Sequence, residues 1–138
     1  MIRAARVNID QMHVTDRPFV LDSWLRSYEP EGLKGHERAK YYRNERVVAE
    51  RCISHGRTMV ATIPGPERQI VGWCCMQPGE PPIVHYVYVK SIMRGNGIAI
   101  DLVIAALDGI SELMHDHSTS SWFVFLRALG KAGITCVR

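Results

Sequence analysis

The chain has 138 residues, is 46% hydrophobic and 22% charged, and carries a formal net charge of +3. That is the length of one domain, able to bury about two-thirds of the surface its unfolded form exposes, and the composition, ordinary for a globular protein, carries no signature of disorder. The positive excess sits in the first half, where residues 1–69 hold 12 basic and 9 acidic side chains against 5 and 5 in residues 70–138; it suits an acidic ligand such as a nucleotide but is too small to argue for nucleic acid by itself.

Cys52, Cys74, Cys75 and Cys136 form no C-x-x-C pair, and adjacent Cys74 and Cys75 would point to opposite faces of a strand, so no metal site is expected. The N-terminal MIRAARVNID lacks an apolar signal core, and there is no run of 18 apolar residues. A cytoplasmic, non-membrane protein with reduced thiols is therefore expected.

In chain order, residues 2–8 can form a first strand whose arginines suit an edge position. Asp16 and Pro18 open a helix through Phe19, Leu21, Leu25 and Tyr28 that must stop before Pro30. After the loop Glu29 to Gly35, a second helix from His36 to Ser54 places Tyr41/Tyr42, Val48/Ala49 and Cys52/Ile53 on its apolar side, and Gly56 ends it. Arg38, Lys40, Arg43, Arg46 and Arg51 give this helix a basic exposed face, which Glu37, Glu45 and Glu50 partly offset. Thr58 to Ile63 and Gln69 to Met76 read as strands joined by the turn Pro64 to Arg68.

The following stretch, Val84 to Leu102, organises the chain. It starts as a strand in which Val84, Tyr86 and Tyr88 alternate with His85, Val87 and Val89. Pro81 and Pro82 precede it. Arg94-Gly95-Asn96-Gly97 then leads into a helix whose apolar residues recur at Ile98, Leu102, Ala105/Ala106, Gly109/Ile110 and Leu113. A strand feeding a glycine-bearing loop and a helix leaves unpaired N–H groups converging at the helix start, where anions are favoured. The same glycines could serve only as a turn. The stretch is neither a P-loop nor a G-x-G-x-x-G fingerprint, because no Gly-Lys-Ser/Thr follows and Ile100 stands at the third glycine position.

Beyond it, the polar segment His115 to Ser121 is either a brief fifth strand or only a connection. Trp122, Phe125/Leu126 and Leu129 recur at helical spacing, Gly130 and Gly133 mark the helix end, and Ile134 to Val137 can return as a last strand. The order β α α β β β α β α β describes one α/β (α+β) domain spanning residues 1–138. Its sheet would be mixed and largely antiparallel, with helices on both faces.

Arg94-x-x-Gly97-x-Ala99 resembles motif A, R/Q-x-x-G-x-G/A, of the GNAT N-acetyltransferase superfamily, and Gly72-Trp73 is similar to a pair often seen in that family's third strand. More narrowly, VYVK-x(3)-R-x(2)-GIA and the SWLRSY at Ser23 to Tyr28 look like short acetyltransferase-like proteins of tailed phages, which would place the chain in a host cytoplasm. The resemblance implies acetyl-CoA as cosubstrate and direct transfer of its acetyl group to an amine acceptor, which the sequence does not name. It also implies that main-chain groups of Val87 and Val89 receive the pantetheine arm. The loop Ile92, Met93, Arg94, Gly95, Asn96, Gly97, Ile98 and Ala99 would then hold the pyrophosphate.

For proton transfer, His85, Tyr86 and Tyr88 on the strand are the candidate groups. Many members carry an acidic tyrosine at the start of the helix after the fifth strand, whereas residues 117–138 here contain no tyrosine. Ser118 to Ser121 occupy the region, and Ser121 is the remaining hydroxyl candidate, although capping of the last helix is the commoner use of such a residue. Either the thiolate leaves unaided, or Tyr86 or Tyr88 supplies its proton, or no transfer is catalysed. Trp24, Arg26, Tyr28 and Glu29 are the candidate acceptor-side residues. Two other functions stay open: a GNAT-fold binding module acting on a host protein or nucleic acid, and acyl or aminoacyl transfer to modified DNA. The short last strand leaves room for a homodimer that completes the sheet.

Overall fold

The structure, a computed structural model, describes residues 6–115 and 120–137, with side chains for 6–115 and 125–137. Six strands form one sheet in the order β1 (Asn8–Gln11), β2 (Arg57–Ile63), β3 (Gln69–Gln77), β4 (Ile83–Val89), β5 (Glu112–His115) and β6 (Thr135–Val137). Pairing is antiparallel from β1 to β4 and parallel from β4 to β6. Four helices, α1 (Arg17–Tyr28), α2 (Gly35–His55), α3 (Ile98–Leu107) and α4 (Ser120–Lys131), complete the α/β fold expected from the sequence.

Alternation along the strands builds a core on each face. Ala61, Val71, Cys74, Met76, Val84 and Val89 pack with Ile98, Leu102, Val103 and Ala106 of α3 and Leu129 of α4. Val60, Ile70, Trp73 and Cys75 pack with Val20, Leu21, Trp24 and Leu25 of α1 and Ala49 and Ile53 of α2. Cys74 and Cys75 thus face opposite sides, as a strand requires. Burial pushes the Cys75 thiol up to about 12 and raises that of Cys74 as well, so neither is a thiolate nucleophile at neutral pH.

Three elements depart from the sequence reading. The first strand is Asn8–Gln11 rather than residues 2–8; Arg6 and Val7 precede it, and residues 2–5 lie outside the described part. Poor strand formers are held there by pairing to β2, with Ile9 opposite Ala61 and packed on the α3 side. Next, α3 stops at Leu107 instead of running on through Leu113. Asp108 and Gly109 take left-handed conformations, and Arg57 of β2 donates to the Ala106 carbonyl in the last helical turn.

Leu113 is instead a fully buried residue of β5, Glu112–His115, which meets the segment expected as a brief strand or connection at His115; residues 116–119 of that segment lie outside the described part. Its helical spacing from Ile110 and Ala106 was coincidental, because a buried strand residue and a buried helix residue look alike at one position.

Candidate coenzyme groove along strand β4

The ladder between β3 and β4 is interrupted once. Cys75 opposes Tyr86 and Met76 opposes Val84, so His85 is the extra residue of a bulge on β4. The bulge changes which side chains share a face: Val84 joins Val87 and Val89 on the α3 side, while Tyr86 and Tyr88 pack toward α1. Simple alternation, which groups Val84 with Tyr86 and Tyr88, is corrected by that single residue.

On its other edge β4 is paired, among the described residues, to β5 at Ile83 and Val84. Past the bulge β4 and β5 have no further pairing among the described residues, and that edge of β4 faces α4. The Lys90 amide donates to the Val71 carbonyl at 2.8 Å, which sets the phase of the antiparallel ladder. Tyr88 and Tyr86 therefore spend their main-chain groups on β3, and those of Val87 and Val89 turn to the open edge. The Val89 carbonyl, so turned, accepts from Arg94 Nε at 3.0 Å, leaving its N–H and both groups of Val87 at the edge.

The loop after β4 is shaped by its own hydrogen bonds. One 3-10 turn, Ser91–Met93, is closed by Met93 N–H to the Lys90 carbonyl at 2.9 Å, and the Asn96 side-chain amide donates to the Met93 carbonyl at 3.0 Å. Gly95 and Gly97 have φ of 85° and 77°, a region that favours glycine, and Gly97 is the N-cap of α3 without a side-chain cap. The Asp101 amide is the first to find a helical acceptor, the Gly97 carbonyl at 3.1 Å. The amides of Ile98, Ala99 and Ile100 are thus the unsatisfied donors of the first turn, carrying the positive end of the helix dipole.

Edge and loop meet in one groove of about 650 Å³, walled by Tyr86, Val87, Tyr88 and Val89, by Met93, Arg94, Gly95 and Gly97, and by the first turn of α3. Ile98, Ala99 and Ile100 come from that turn, and Phe125 and Ala128 of α4 form the facing wall. Main-chain donors and acceptors at one end and an uncapped helix N-terminus at the other fit a long ligand with an amide-bearing arm and a phosphorylated head.

Not all the sequence candidates gather here. Ile92 is 86% exposed and outside the groove, and Asn96 acts as the turn's internal brace. His85 Nε2 faces Gln77 Oε1 at 3.2 Å and does not line the groove. Ser121 lies in α4, but its side chain is outside the described residues. Trp24 is 3% exposed and stacked on Trp73 with centroids 5.5 Å apart, a core position.

Arg26 pairs with Asp22 on the exposed side of α1. Glu29 receives the Arg38 guanidinium at 3.0 and 3.2 Å and the Tyr42 hydroxyl, and these bonds, Arg38 first, hold its carboxyl below the usual range. Tyr28 touches the strand most closely of this group, its ring 4.6 Å from that of Tyr86. Tyr86 is also in ring contact with Trp24 and Trp73, and its phenol is raised chiefly by burial, against a hydrogen bond with Ser27 that lowers it. Ile100, Phe125 and Ala128 were not anticipated as groove residues. Helical periodicity marks them as apolar, but only the placement of α4 across the open edge gives them this wall.

No protein-family model matches the sequence, and no curated protein matches it. Solved structures do match. A putative acetyl transferase from Pyrococcus furiosus superposes with a TM-score of 0.68 at 14% identity, over 96% of this chain and 95% of that one. The chain has the GNAT fold. A GCN5-related N-acetyltransferase from Rhodopseudomonas palustris superposes with a TM-score of 0.64 at 16% identity, over 93% and 82% of the two chains. The aminoglycoside N-acetyltransferase AAC(6')-Iy, solved in complex with CoA, gives a TM-score of 0.58 at 19% identity over 94% and 90%. Among the described residues no helix is long and apolar enough to cross a membrane, and no cluster of three or more metal-ligating side chains occurs.

Proposed function

We propose that this protein is an acetyl-CoA-dependent N-acetyltransferase acting directly on an amine acceptor. The observation that carries the reading is the single groove in which the edge of β4 beyond its bulge, unpaired among the described residues, is continuous with a helix N-terminus that has no side-chain cap. Val87 and the Val89 amide would pair with the pantetheine arm as an added strand does. The amides from Gly97 to Ile100 would hold the pyrophosphate, with the Arg94 guanidinium braced beside them by the Val89 carbonyl.

The coenzyme supplies an activated acetyl thioester, and the chain's own residues supply position and protons. Tyr86 is the candidate donor for the departing sulfur: the residue borders the groove while its ring lies on the α1 side, and its raised phenol stays protonated at neutral pH. That assignment answers the lack of any tyrosine in residues 117–138. The acceptor would approach from the α1 side, where Tyr28 meets Tyr86. His85, held at Gln77, is the less direct proton acceptor.

The test is release of free thiol from acetyl-CoA across a panel of primary amines. Turnover with any amine supports the reading; tight coenzyme binding with no turnover for any amine would favour the alternative, a GNAT-fold binding module. The missing tyrosine is the specific observation on that side. Transfer to modified DNA is less favoured, because Arg38 and Arg46 of the basic helix are paired with Glu29 and Glu50. Salt-dependent DNA binding lost on neutralising Arg38, Arg43 and Arg46 would revive it. The narrower likeness to phage proteins, and with it a host-cytoplasmic location, rests on the VYVK and SWLRSY segments alone.

A further inference from the structure

Two patches outside the coenzyme groove each set exposed apolar side chains among charges of one sign, and the two signs are opposite. The first is the outer stripe of α2. Lys40, Arg43, Val47 and Arg51 recur at i, i+3, i+7 and i+11, which stacks them on the side of the helix away from the buried Ala49. Val47 is 57% exposed, and Val48 beside it is 48% exposed. Arg38 and Arg46 of the same helix are paired with Glu29 and Glu50, whereas the side chains of Lys40, Arg43 and Arg51 make no hydrogen bond or ion pair among the described residues.

The second patch is a groove of about 420 Å³ between the β3–β4 turn and the start of β5. Its apolar lining is Pro81, Pro82 and Ile110, the last 46% exposed, and its charges are Glu80 and Glu112, both exposed and neither paired among the described residues. Just before Ile110, the 83% exposed Asp108 carboxylate approaches Arg57 no closer than 3.9 Å. Among the described residues no cation lines this groove.

We infer that the two patches bind each other between copies of this chain: the α2 stripe of one copy lies in the groove of a second, with Val47 and Val48 against Pro81, Pro82 and Ile110. Lys40, Arg43 and Arg51 then meet Glu80, Glu112 and Asp108. Each patch by itself leaves apolar surface in water within a field of one sign, which repels a like patch and steers an opposite one toward it. A polyphosphate backbone is the weaker match, because two valines interrupt the cations and Glu37, Glu45 and Glu50 stand along the same helix. Neither patch borders the coenzyme groove, so association requires no coenzyme. Because the two faces differ, two copies that have each lost a different face still share one complementary pair.

The experiment is sedimentation velocity on the full chain, on Val47→Glu and on Ile110→Lys, from low to high micromolar concentration, with circular dichroism to check the fold. Both replaced side chains are exposed, so neither change empties the core. Wild type should rise above the 15.6 kDa of one chain. Raising salt from about 0.1 M to about 1 M, which shortens the screening length from about 10 Å to about 3 Å, should weaken that association several-fold. Each variant alone should stay at 15.6 kDa, and their equimolar mixture should form pairs. Association that persists in either variant alone, as one through the edge of β6 would, or a mixture that stays monomeric, would overturn this contact. So would wild type that stays at 15.6 kDa throughout, and a DNA duplex bound by the stripe of such a monomer would assign it to nucleic acid instead.

Discussion

Gly97 is the residue on which the coenzyme reading is most exposed. At φ of 77° a β-branched side chain is strained by about 1–2 kcal/mol, and the N–H groups it would crowd are those at the start of α3. Gly97→Val should therefore lower coenzyme affinity at least about tenfold while circular dichroism still reports the fold. Tyr86→Phe makes a separate demand. If its phenol protonates the sulfur, kcat falls with KM for the coenzyme unchanged, and the upper limb of the pH profile, set by a tyrosine raised by burial, disappears.

Asp16 yields a stability prediction. Its hydrogen bonds from Arg68 hold its carboxyl below the ordinary value of 3.8, so the folded state favours the ionised form. That contribution is present above the unfolded value and is lost as pH falls through the lower folded one. Asp16→Asn should cost about 2 kcal/mol near neutrality and flatten the acid limb of a denaturation series as pH falls below the ordinary carboxylate value of 3.8.

At the level of elements, β4 shows what a sequence does and does not disclose. Its β-branched and aromatic run, the glycine loop and the helix after it announce themselves through composition and spacing, so the loop half of the candidate site was legible. The bulge at His85 was not. No local residue requires it, and it exists because two antiparallel strands are matched over their whole length. With it went the distribution of Val84, Tyr86 and Tyr88 between faces, and the role of His85.

Gly72 is a related case. A Cβ built there would stand 2.7 Å from the Tyr88 carbonyl oxygen and 3.2 Å from Leu102 Cδ1, so the glycine admits a close approach of β3 to β4 under α3. Gly72→Ala should destabilise the domain by about 1–3 kcal/mol in urea, through strain against backbone that cannot give way. Conversely, the end of α3 and the position of β5 were misplaced because Leu113 satisfies both a helical and a strand pattern. The left-handed Asp108 decides the matter, and a single aspartate carries no such signal.

For the molecule as a whole, two cores back a single sheet that opens between β4 and α4, which places a groove on one face and the aromatic cluster of Tyr28, Trp73 and Tyr86 on the other. A ligand in the groove would then meet an acceptor coming from the α1 side only across the edge of β4. The last strand, Thr135–Val137, is short and pairs with β5 alone among the described strands. Completion of this edge by a second copy remains a proposal, for which sedimentation velocity expects a dimer; a single species at 15.6 kDa would remove it. The central claim is occupancy of the β4 groove by acetyl-CoA, and titration calorimetry of wild type beside Gly97→Val tests it most directly. The account predicts micromolar binding by wild type, roughly −8 kcal/mol, and its loss in the variant; no heat of binding to wild type, or equal affinity in both proteins, would contradict it.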